Sequence, residues 1–204
     1  MIVKNLINDI MPEVWPMVLI ITVIVASLRI AYLINANKKF VIHKELFGLI
    51  FIVYILCLYH VVTFQDVNYG TNNFVPFKEI FRYSIGSAKF IKNIIGNILL
   101  FIPFGFFSSY YLKARRISTP LILTLITSCT IEIVQYYIGR VFDIDDIILN
   151  VIGGILGFLL YIGLDAIKKR LPNFLKSDLF LNIVIIIIIV LLIIYSFNLN
   201  VFIW

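Results

Sequence analysis

The chain has 204 residues, of which 62% are hydrophobic and 14% charged, and its formal net charge is +6 at pH 7. Soluble domains contain about 45 to 50% apolar and about 25% charged residues, so this composition excludes an ordinary soluble domain and indicates a protein of the lipid bilayer. The positive charge does not indicate a nucleic-acid partner, because the basic residues lie in short loops between apolar segments.

Six apolar segments follow one another along the chain, and each approaches the roughly 20 residues that cross the hydrocarbon layer as a helix. They are residues 17–34, 46–62, 94–112, 121–138, 147–167 and 179–197. The first is not a short apolar stretch followed by a small-residue cleavage motif, so we expect no cleavable signal peptide. The sequence therefore predicts an all-α, polytopic bundle of about six transmembrane helices.

Basic residues predict how this bundle is oriented in the cell membrane. The loops after the first, third and fifth segments carry Lys38, Lys39 and Lys44, then Lys113, Arg115 and Arg116, then Lys168, Lys169, Arg170 and Lys176. By the positive-inside rule these loops are cytoplasmic, and both termini lie outside together with residues 63–93 and 140–146. Residues 63–93 also contain four basic side chains, so the asymmetry of charge is incomplete.

A short amphipathic pattern interrupts the outer segment 63–93. In "NFVPFKEIFRYSI", Phe77, Ile80, Phe81 and Ile85 recur at helical spacing after Pro76. This pattern predicts a short helix that lies in the membrane interface. An ordinary loop with several aromatic residues is the alternative.

The fourth segment carries a polar stripe that includes Glu132, Gln135 and Arg140. Glu132 lies about six residues, or roughly 9 Å, below the outer end of the segment. A charged side chain at the centre of a membrane helix costs about 2.5 to 3.5 kcal/mol, so the stripe is expected to face protein or water. Two structural alternatives stay open: Glu132 can clamp two helices together, and Arg140 can anchor its helix at the interface.

The fifth segment begins with "DIDDIILN". Asp143 and Asp146 stand three residues apart, which suits the N-cap and third position of a helix whose dipole favours anions. Capping accounts for one or two acids, but not for three beside an arginine. Asn150 lies one turn beyond Asp146, and Gly153, Gly154 and Gly157 continue near the same face, where we expect them to allow close helix packing.

Short loops make neighbouring helices antiparallel, so the outer ends of the third, fourth and fifth segments are expected to meet. The side chains that would converge on one outward-opening pocket are Asn97, Glu132, Gln135, Arg140, Asp143, Asp146 and Asn150. Carboxylates at different depths can serve as acid and base, clustered carboxylates can hold a divalent cation such as Mg²⁺ or Ca²⁺, and an arginine can grip a phosphate or carboxylate. No residue pattern requires the cation, and the solitary His60 does not predict zinc.

Four motifs give the chain a resemblance to the VanZ-like family of bacterial membrane proteins. They are "NFVPFKEI" (73–80), "NILLFIPFGF" (97–106), "EIVQ" (132–135) and "RVFDIDDIILNVIGGILG" (140–157), in the order of the family. The resemblance covers about residues 47–163. We therefore expect three parts: a transmembrane helix and cytoplasmic loop (1–45), a VanZ-like membrane domain (46–166), and a basic cytoplasmic loop with a last transmembrane helix (167–204).

The resemblance also implies a function in the envelope of a Gram-positive bacterium, namely reduced sensitivity to the glycopeptide teicoplanin. Its polar positions include Asn73 as well as the seven pocket residues, whereas Asp145 is an extra acid that the pattern does not assign. We take Glu132, Asp143 and Asp146 as candidate catalytic residues, and Asn73, Asn97, Gln135, Arg140 and Asn150 as candidate substrate-binding residues. Expected partners are the bilayer and either a lipid-linked cell-wall precursor or a glycopeptide.

Whether the pocket catalyses a reaction is left open by the sequence, as are the metal and the oligomeric state. A noncatalytic binding or assembly protein is one alternative to a protein that binds or modifies an envelope lipid. A proton-linked transporter ranks last, because the chain shows no inverted repeat and no matched pair of broken helices, only the break at Pro103.

Overall fold

The computed structural model describes residues 2–63 and 71–201, and the side chains of residues 14–63 and 71–191. The described chain is helical and contains no strand, only an isolated bridge between Asn73 and Asp143. Its α-helices are α1 (Ile2–Asn35), α2 (Ile42–Thr63), α3 (Lys78–Arg82), α4 (Ala88–Phe90), α5 (Gly96–Leu112), α6 (Ser118–Tyr137), α7 (Ile144–Arg170) and α8 (Asp178–Val201). A π-helical turn (Ile91–Ile95) joins α4 to α5, and a 3-10 turn (Asn173–Lys176) precedes α8.

Five helical segments of the described chain are long and apolar enough to cross a membrane. They are Val14–Asn35, Ile42–Thr63, Ala88–Leu112, Ser118–Tyr137 and Ile144–Arg170. The predicted all-α membrane bundle is therefore confirmed, with five such segments where the sequence predicts about six. The sixth prediction falls on α8, whose apolar stretch with described side chains is the shorter Asp178–Leu191, and its remainder lies outside those residues.

Glycines bring the backbones of α5 and α7 into direct contact and let a side chain of α6 pack closely on α7. A methyl group added to Gly105 on α5 would overlap the backbone of Gly154 on α7, and one added to Gly157 would overlap the carbonyl of Ile102. One added to Gly154 would also collide with Thr124 on α6. Small residues allow such close approach in membrane helices, so the predicted packing role of the α7 glycines is confirmed and these three helices form the centre of the bundle.

Polar contacts attach α2 to this centre, and attach α1 and α8 to α2. Tyr54 on α2 donates a hydrogen bond to the Leu100 carbonyl of α5 at 2.6 Å, one turn before Pro103. Towards the predicted cytoplasmic side, Arg29 on α1 pairs with Glu45 on α2 at 2.8 Å. The beginning of α2 is tied to α8 by Lys44 and Asp178, 3.1 Å apart.

A short helix is present where the amphipathic pattern predicts one, as α3, but it is only five residues long. The pattern extends to Ile85, whereas α3 ends at Arg82 because the chain then turns at Gly86, which has a positive φ of 85°. Phe81 and Ile85 are 83% and 90% exposed, which is unusual for large apolar side chains in water and suits an interface with lipid. The third membrane helix starts at Ala88 rather than at residue 94, because the Ser87 hydroxyl accepts from the Phe90 amide and caps α4.

Candidate polar pocket between α5, α6 and α7

A cavity of about 230 Å³ lies among α5, α6 and α7, bordered by the end of α2 and by α3. Its polar and charged lining residues are Glu79, Tyr83, Lys92, Asn93, Asn97, Glu132, Gln135, Arg140, Asp143, Asp145, Asp146 and Asn150. Seven of the eight sequence-predicted site residues are in this lining. Asn73 is not, but it contacts Asp143. The structure thus brings the predicted polar positions together in one place.

Glu132 is the most deeply buried acid of the predicted site, with 1% of its surface exposed. Its Oε2 accepts a hydrogen bond from the Asp143 amide at 2.9 Å, which fixes the beginning of α7 against α6. No other described residue donates to the Glu132 carboxylate, so its Oε1 is left without a protein donor in that part of the chain. Glu132 therefore does connect two helices, as the structural alternative predicts, but this contact uses only Oε2 of its two carboxylate oxygens.

Asp146 and Asn97 join α7 to α5 at the same level. The Asn97 Nδ2 donates to Asp146 Oδ1 at 2.5 Å. Both side chains are half-buried and line the cavity. This bond again leaves one oxygen, Asp146 Oδ2, without a donor among the described residues.

Asp143 is the N-cap of α7. Its Oδ1 accepts from the Asp145 amide at 2.9 Å and from Asn73 Nδ2 at 2.8 Å. Burial raises the pKa of the Asp143 carboxyl above its usual value, while these two hydrogen bonds oppose the rise. The isolated bridge reinforces the contact, since Asn73 N donates to Phe142 O at 2.8 Å and Ile144 N donates to Asn73 O at 3.1 Å. Asn73 therefore holds the turn before α7 in place.

Asp145, which the sequence does not assign, caps α3. It is 1% exposed and accepts hydrogen bonds from the amides of Phe77, Glu79 and Ile80 at 2.5, 2.7 and 3.2 Å. Phe77 has a left-handed φ of 67° and offers no capping side chain, so the carboxylate of Asp145 takes that role from 68 residues away. The missing polar N-cap after Pro76 is the only trace of this contact in the sequence.

Gln135 and Arg140 bind the end of α2. The Gln135 amide and the Arg140 guanidinium both donate to the Val62 carbonyl, at 3.1 and 2.7 Å. A cation at the C-terminal end of a helix is favoured by the helix dipole. Arg140 is therefore part of the packing of α2 on α6 as well as of the cavity wall.

Asn150 forms the innermost polar contact, because its Nδ2 donates to the Ser128 hydroxyl of α6 at 2.9 Å and both residues are buried. Ser128 escapes prediction because a serine in an apolar helix has many ordinary roles. Among the described residues, no three His, Cys, Asp or Glu side chains are grouped so as to hold a metal ion. The divalent cation stays a prediction of the sequence alone.

The chemistry of the pocket follows from which atoms remain available. Glu132, Asp143 and Asp146 each keep one carboxylate oxygen without a donor from the described chain, and each lines the cavity. Arg140 is close enough to Glu132 and Asp146 for its charge to act on both. The arrangement can bind a polar headgroup, and a pair of carboxylates can exchange a proton with it.

Comparison with known protein families finds a match that covers the pocket-bearing part of the chain. The sequence profile described as VanZ/LLP1 matches residues 49–168, which is more than half of the chain and contains every residue that lines the cavity. The chain belongs to the VanZ/LLP1 family. It is a multi-pass membrane protein of that family, and the family resemblance drawn from the four motifs is confirmed.

One curated relative is similar over about half of the chain. The chain is 30% identical over 115 residues to the protein named "Protein VanZ" from Enterococcus faecium. The match covers 55% of this chain and 66% of that VanZ protein, just under two thirds of its length. No solved structure gives a significant match.

Proposed function

We propose that this VanZ-family protein binds, in its polar pocket, the headgroup of an amphiphilic cell-envelope molecule at the outer leaflet, and thereby lowers the sensitivity of the cell to teicoplanin. The observation that carries the proposal is the buried Glu132, whose carboxylate lies in a membrane helix and receives a single hydrogen bond from the described chain. Ionisable residues in membrane helices mark functional sites by default, because a charged side chain inside the bilayer destabilises the protein and an apolar residue would otherwise replace it.

The pocket residues divide into those occupied by structural contacts and those with free atoms. Asn73, Gln135 and Asn150 are engaged in helix packing. Glu132 and Asp146 each accept one structural hydrogen bond and Asp143 accepts two, and each acid keeps one carboxylate oxygen without a donor from the described residues. We therefore assign ligand contact to these three acids and Arg140, and assign to Asn97 the orientation of Asp146.

The size of the cavity favours a headgroup over a whole antibiotic. Pockets for drug-sized ligands have volumes of about 300 to 1,000 Å³, and this cavity is smaller, at about 230 Å³. A glycopeptide is larger than an ordinary drug, so teicoplanin is not the molecule enclosed. The bound molecule is instead an envelope component, such as a lipid-linked cell-wall precursor, whose binding or modification changes the action of the antibiotic.

The neighbourhood of α3 favours an amphiphile as the ligand. Glu79 and Ile80 of α3 line the cavity, while Phe81 on the same short helix is 83% exposed. A polar cavity and an apolar lipid-facing surface thus adjoin at one helix, which is the pairing that a headgroup and its acyl chains require. The basic loops at the other end of the bundle support an outward orientation of the pocket by the positive-inside rule.

The same acids allow a reaction as well as binding. Glu132 and Asp146 line one cavity and differ in exposure, which is the arrangement in which one carboxyl group serves as acid and another as base. The competing function is a noncatalytic assembly protein, favoured by the helix-clamping bond between Glu132 and Asp143. The ligand-binding function and the assembly function are distinguished by a variant that keeps the hydrogen bond from the Asp143 amide and loses the charge of Glu132.

Glu132→Gln is that variant, since its side-chain carbonyl can still accept from the Asp143 amide. We expect it to keep the thermal stability of the wild type in detergent and to lose protection against teicoplanin in a susceptible Gram-positive host. Asp165→Asn is the matched control, because Asp165 lies at the opposite end of α7 and pairs with Lys169 at 2.6 Å. Unchanged protection with Glu132→Gln at equal membrane levels would contradict the proposal, and lost stability would favour the assembly protein.

A further inference from the structure

Three carboxylates supply the cavity with acceptors that no described residue satisfies. Glu132 Oε2, Asp143 Oδ1 and Asp146 Oδ1 accept hydrogen bonds from the protein, and the second oxygen of each carboxylate receives none from that part of the chain. All three acids line the cavity. The cavity thus offers acceptors in excess of donors.

The charge of the lining has the same imbalance. Two basic residues, Lys92 and Arg140, face the four aspartates and glutamates of α6 and the α7 start. Asp145 is compensated by three amides, and Arg140 shares its hydrogen-bonding capacity with the Val62 carbonyl. The inner part of the cavity therefore holds more acidic than basic groups, whereas Lys92 is exposed at its edge. A buried charge of this kind requires a partner.

Resting on the proposed function, we propose that the headgroup bound in this pocket carries a primary ammonium group, held by Glu132, Asp143 and Asp146, next to an anionic group held by Lys92 and Arg140. A primary ammonium has three N–H donors and no acceptor, which matches the three carboxylate oxygens that receive no donor from the described residues. The anionic group, a phosphate or carboxylate, meets a guanidinium suited to bind it.

Other cations fit the cavity less well. In the described part of the chain, no three His, Cys, Asp or Glu side chains are grouped so as to hold a metal ion. A quaternary ammonium has no N–H donor and is recognised by a cage of aromatic rings, whereas the aromatic residues of this lining are Tyr83 and Phe101. The pocket therefore selects a primary amine over its methylated form.

The test is ligand-dependent thermal unfolding of the full chain in detergent, with probe lipids that differ only in the amine. Dioleoyl-phosphatidylethanolamine carries the ammonium, its N-acetylated form keeps the phosphate and loses the charge, and dioleoyl-phosphatidylcholine is quaternary. We expect the wild-type protein to bind the free amine at least about tenfold more tightly than either other lipid, as the loss of hydrogen bonds to charged groups implies. Because this comparison needs no variant, it does not depend on how a mutant folds.

Variants locate the preference in the pocket. Asp146→Asn and Glu132→Gln should make the affinity for the free-amine lipid nearly equal to that for its N-acetylated form. Asp165→Asn, at the far end of α7, should leave the preference for the free amine unchanged. Soluble glycerophosphoethanolamine and its N-acetyl form test whether the amine must belong to a lipid. If the soluble pair shows the same preference, the headgroup alone is recognised. If only the lipids show it, binding also requires the acyl chains. Either result supports recognition of a primary ammonium group by the pocket.

Two results would overturn the inference. Equal stabilisation by the free and acetylated lipids that disappears in Arg140→Gln would show a headgroup site without ammonium selection, and would leave the proposed function standing. Stabilisation by none of the probes would overturn the inference and, together with unaltered teicoplanin protection by Glu132→Gln, the proposed function as well.

Discussion

The Asn97 side chain on α5 donates a hydrogen bond to the Asp146 carboxylate on α7, with Nδ2 and Oδ1 2.5 Å apart. These two residues stand at the pocket end of the same helix pair that Gly105 and Gly154 bring together further in. The glycine contact sets the distance between the two helices, and the polar contact then sets the orientation of an acid that lines the cavity. Close packing and pocket geometry are therefore coupled in this protein.

Removing Asn97 tests that coupling. We expect Asn97→Ala and Asp146→Ala to show an interaction free energy of about 1 to 3 kcal/mol in a double-mutant cycle, because the bond joins an amide to a carboxylate in a half-buried site. The free energy of unfolding is measured in mixed micelles for the wild type, both single variants and the double variant. Strictly additive effects of the two substitutions would show that the contact does not contribute to stability.

The glycine packing gives a prediction with a control in the same helix. Gly154→Ala should lower the free energy of unfolding by about 1 to 3 kcal/mol, since the added methyl group collides with Thr124. Thr124→Ala should restore part of that loss. Gly163→Ala is the control: a methyl group there meets no atom within 4 Å, so alanine should leave stability unchanged or raise it by up to about 1 kcal/mol. Equal losses at both glycines would contradict the packing account.

The capping of α3 by Asp145 predicts a local effect. Asp145→Ala removes the acceptor of the Phe77, Glu79 and Ile80 amides, so hydrogen exchange at these amides should accelerate about 5- to 30-fold, as expected for the loss of about 1 to 2 kcal/mol of capping. Glu79→Gln is the control, because the Glu79 carboxylate pairs with Arg82 and does not cap the helix. Unchanged exchange in Asp145→Ala would show that α3 is held by other contacts.

Asp143 predicts a dependence of stability on pH. Because burial raises its pKa, the folded protein retains a proton that the unfolded chain has already lost. The contribution of Asp143 to stability should therefore fall as the pH rises from the ordinary aspartate value of 3.8 towards the raised folded pKa, and should be constant above it. Thermal unfolding of the wild type and Asp143→Asn across this range gives the difference between their stabilities, and this difference should become smaller towards low pH. A difference that is the same at every pH would contradict the raised pKa.

The membrane helices follow from the sequence because apolar runs of spanning length have few other uses, and the glycines of α7 indicate close packing for the same reason. The convergence of Asn97, Glu132 and Asp146 also follows, since antiparallel neighbours place the corresponding ends of their helices together. What the sequence does not reveal depends on long-range pairing. Asp145 caps a helix 68 residues earlier, and Asn73 bridges to Asp143 across 70 residues.

The start of the third membrane helix differs from the predicted one for a local reason. A hydropathy window starts where polar residues end, whereas the helix starts where Ser87 caps it, and it includes Lys89 and Lys92 before the apolar run begins. The π-helical turn at Ile91–Ile95 has no sequence signal of its own. The consequence is functional, because this turn places Lys92 and Asn93 in the lining of the cavity.

The most direct test of the account is the sensitivity of a susceptible Gram-positive host to teicoplanin and to vancomycin, with the wild-type protein, with Glu132→Gln and with no protein, at matched membrane levels. The account predicts protection against teicoplanin by the wild type alone, with Glu132→Gln as sensitive as the host without the protein. Equal sensitivity of all three strains, or equal protection by the wild type and Glu132→Gln, would contradict it.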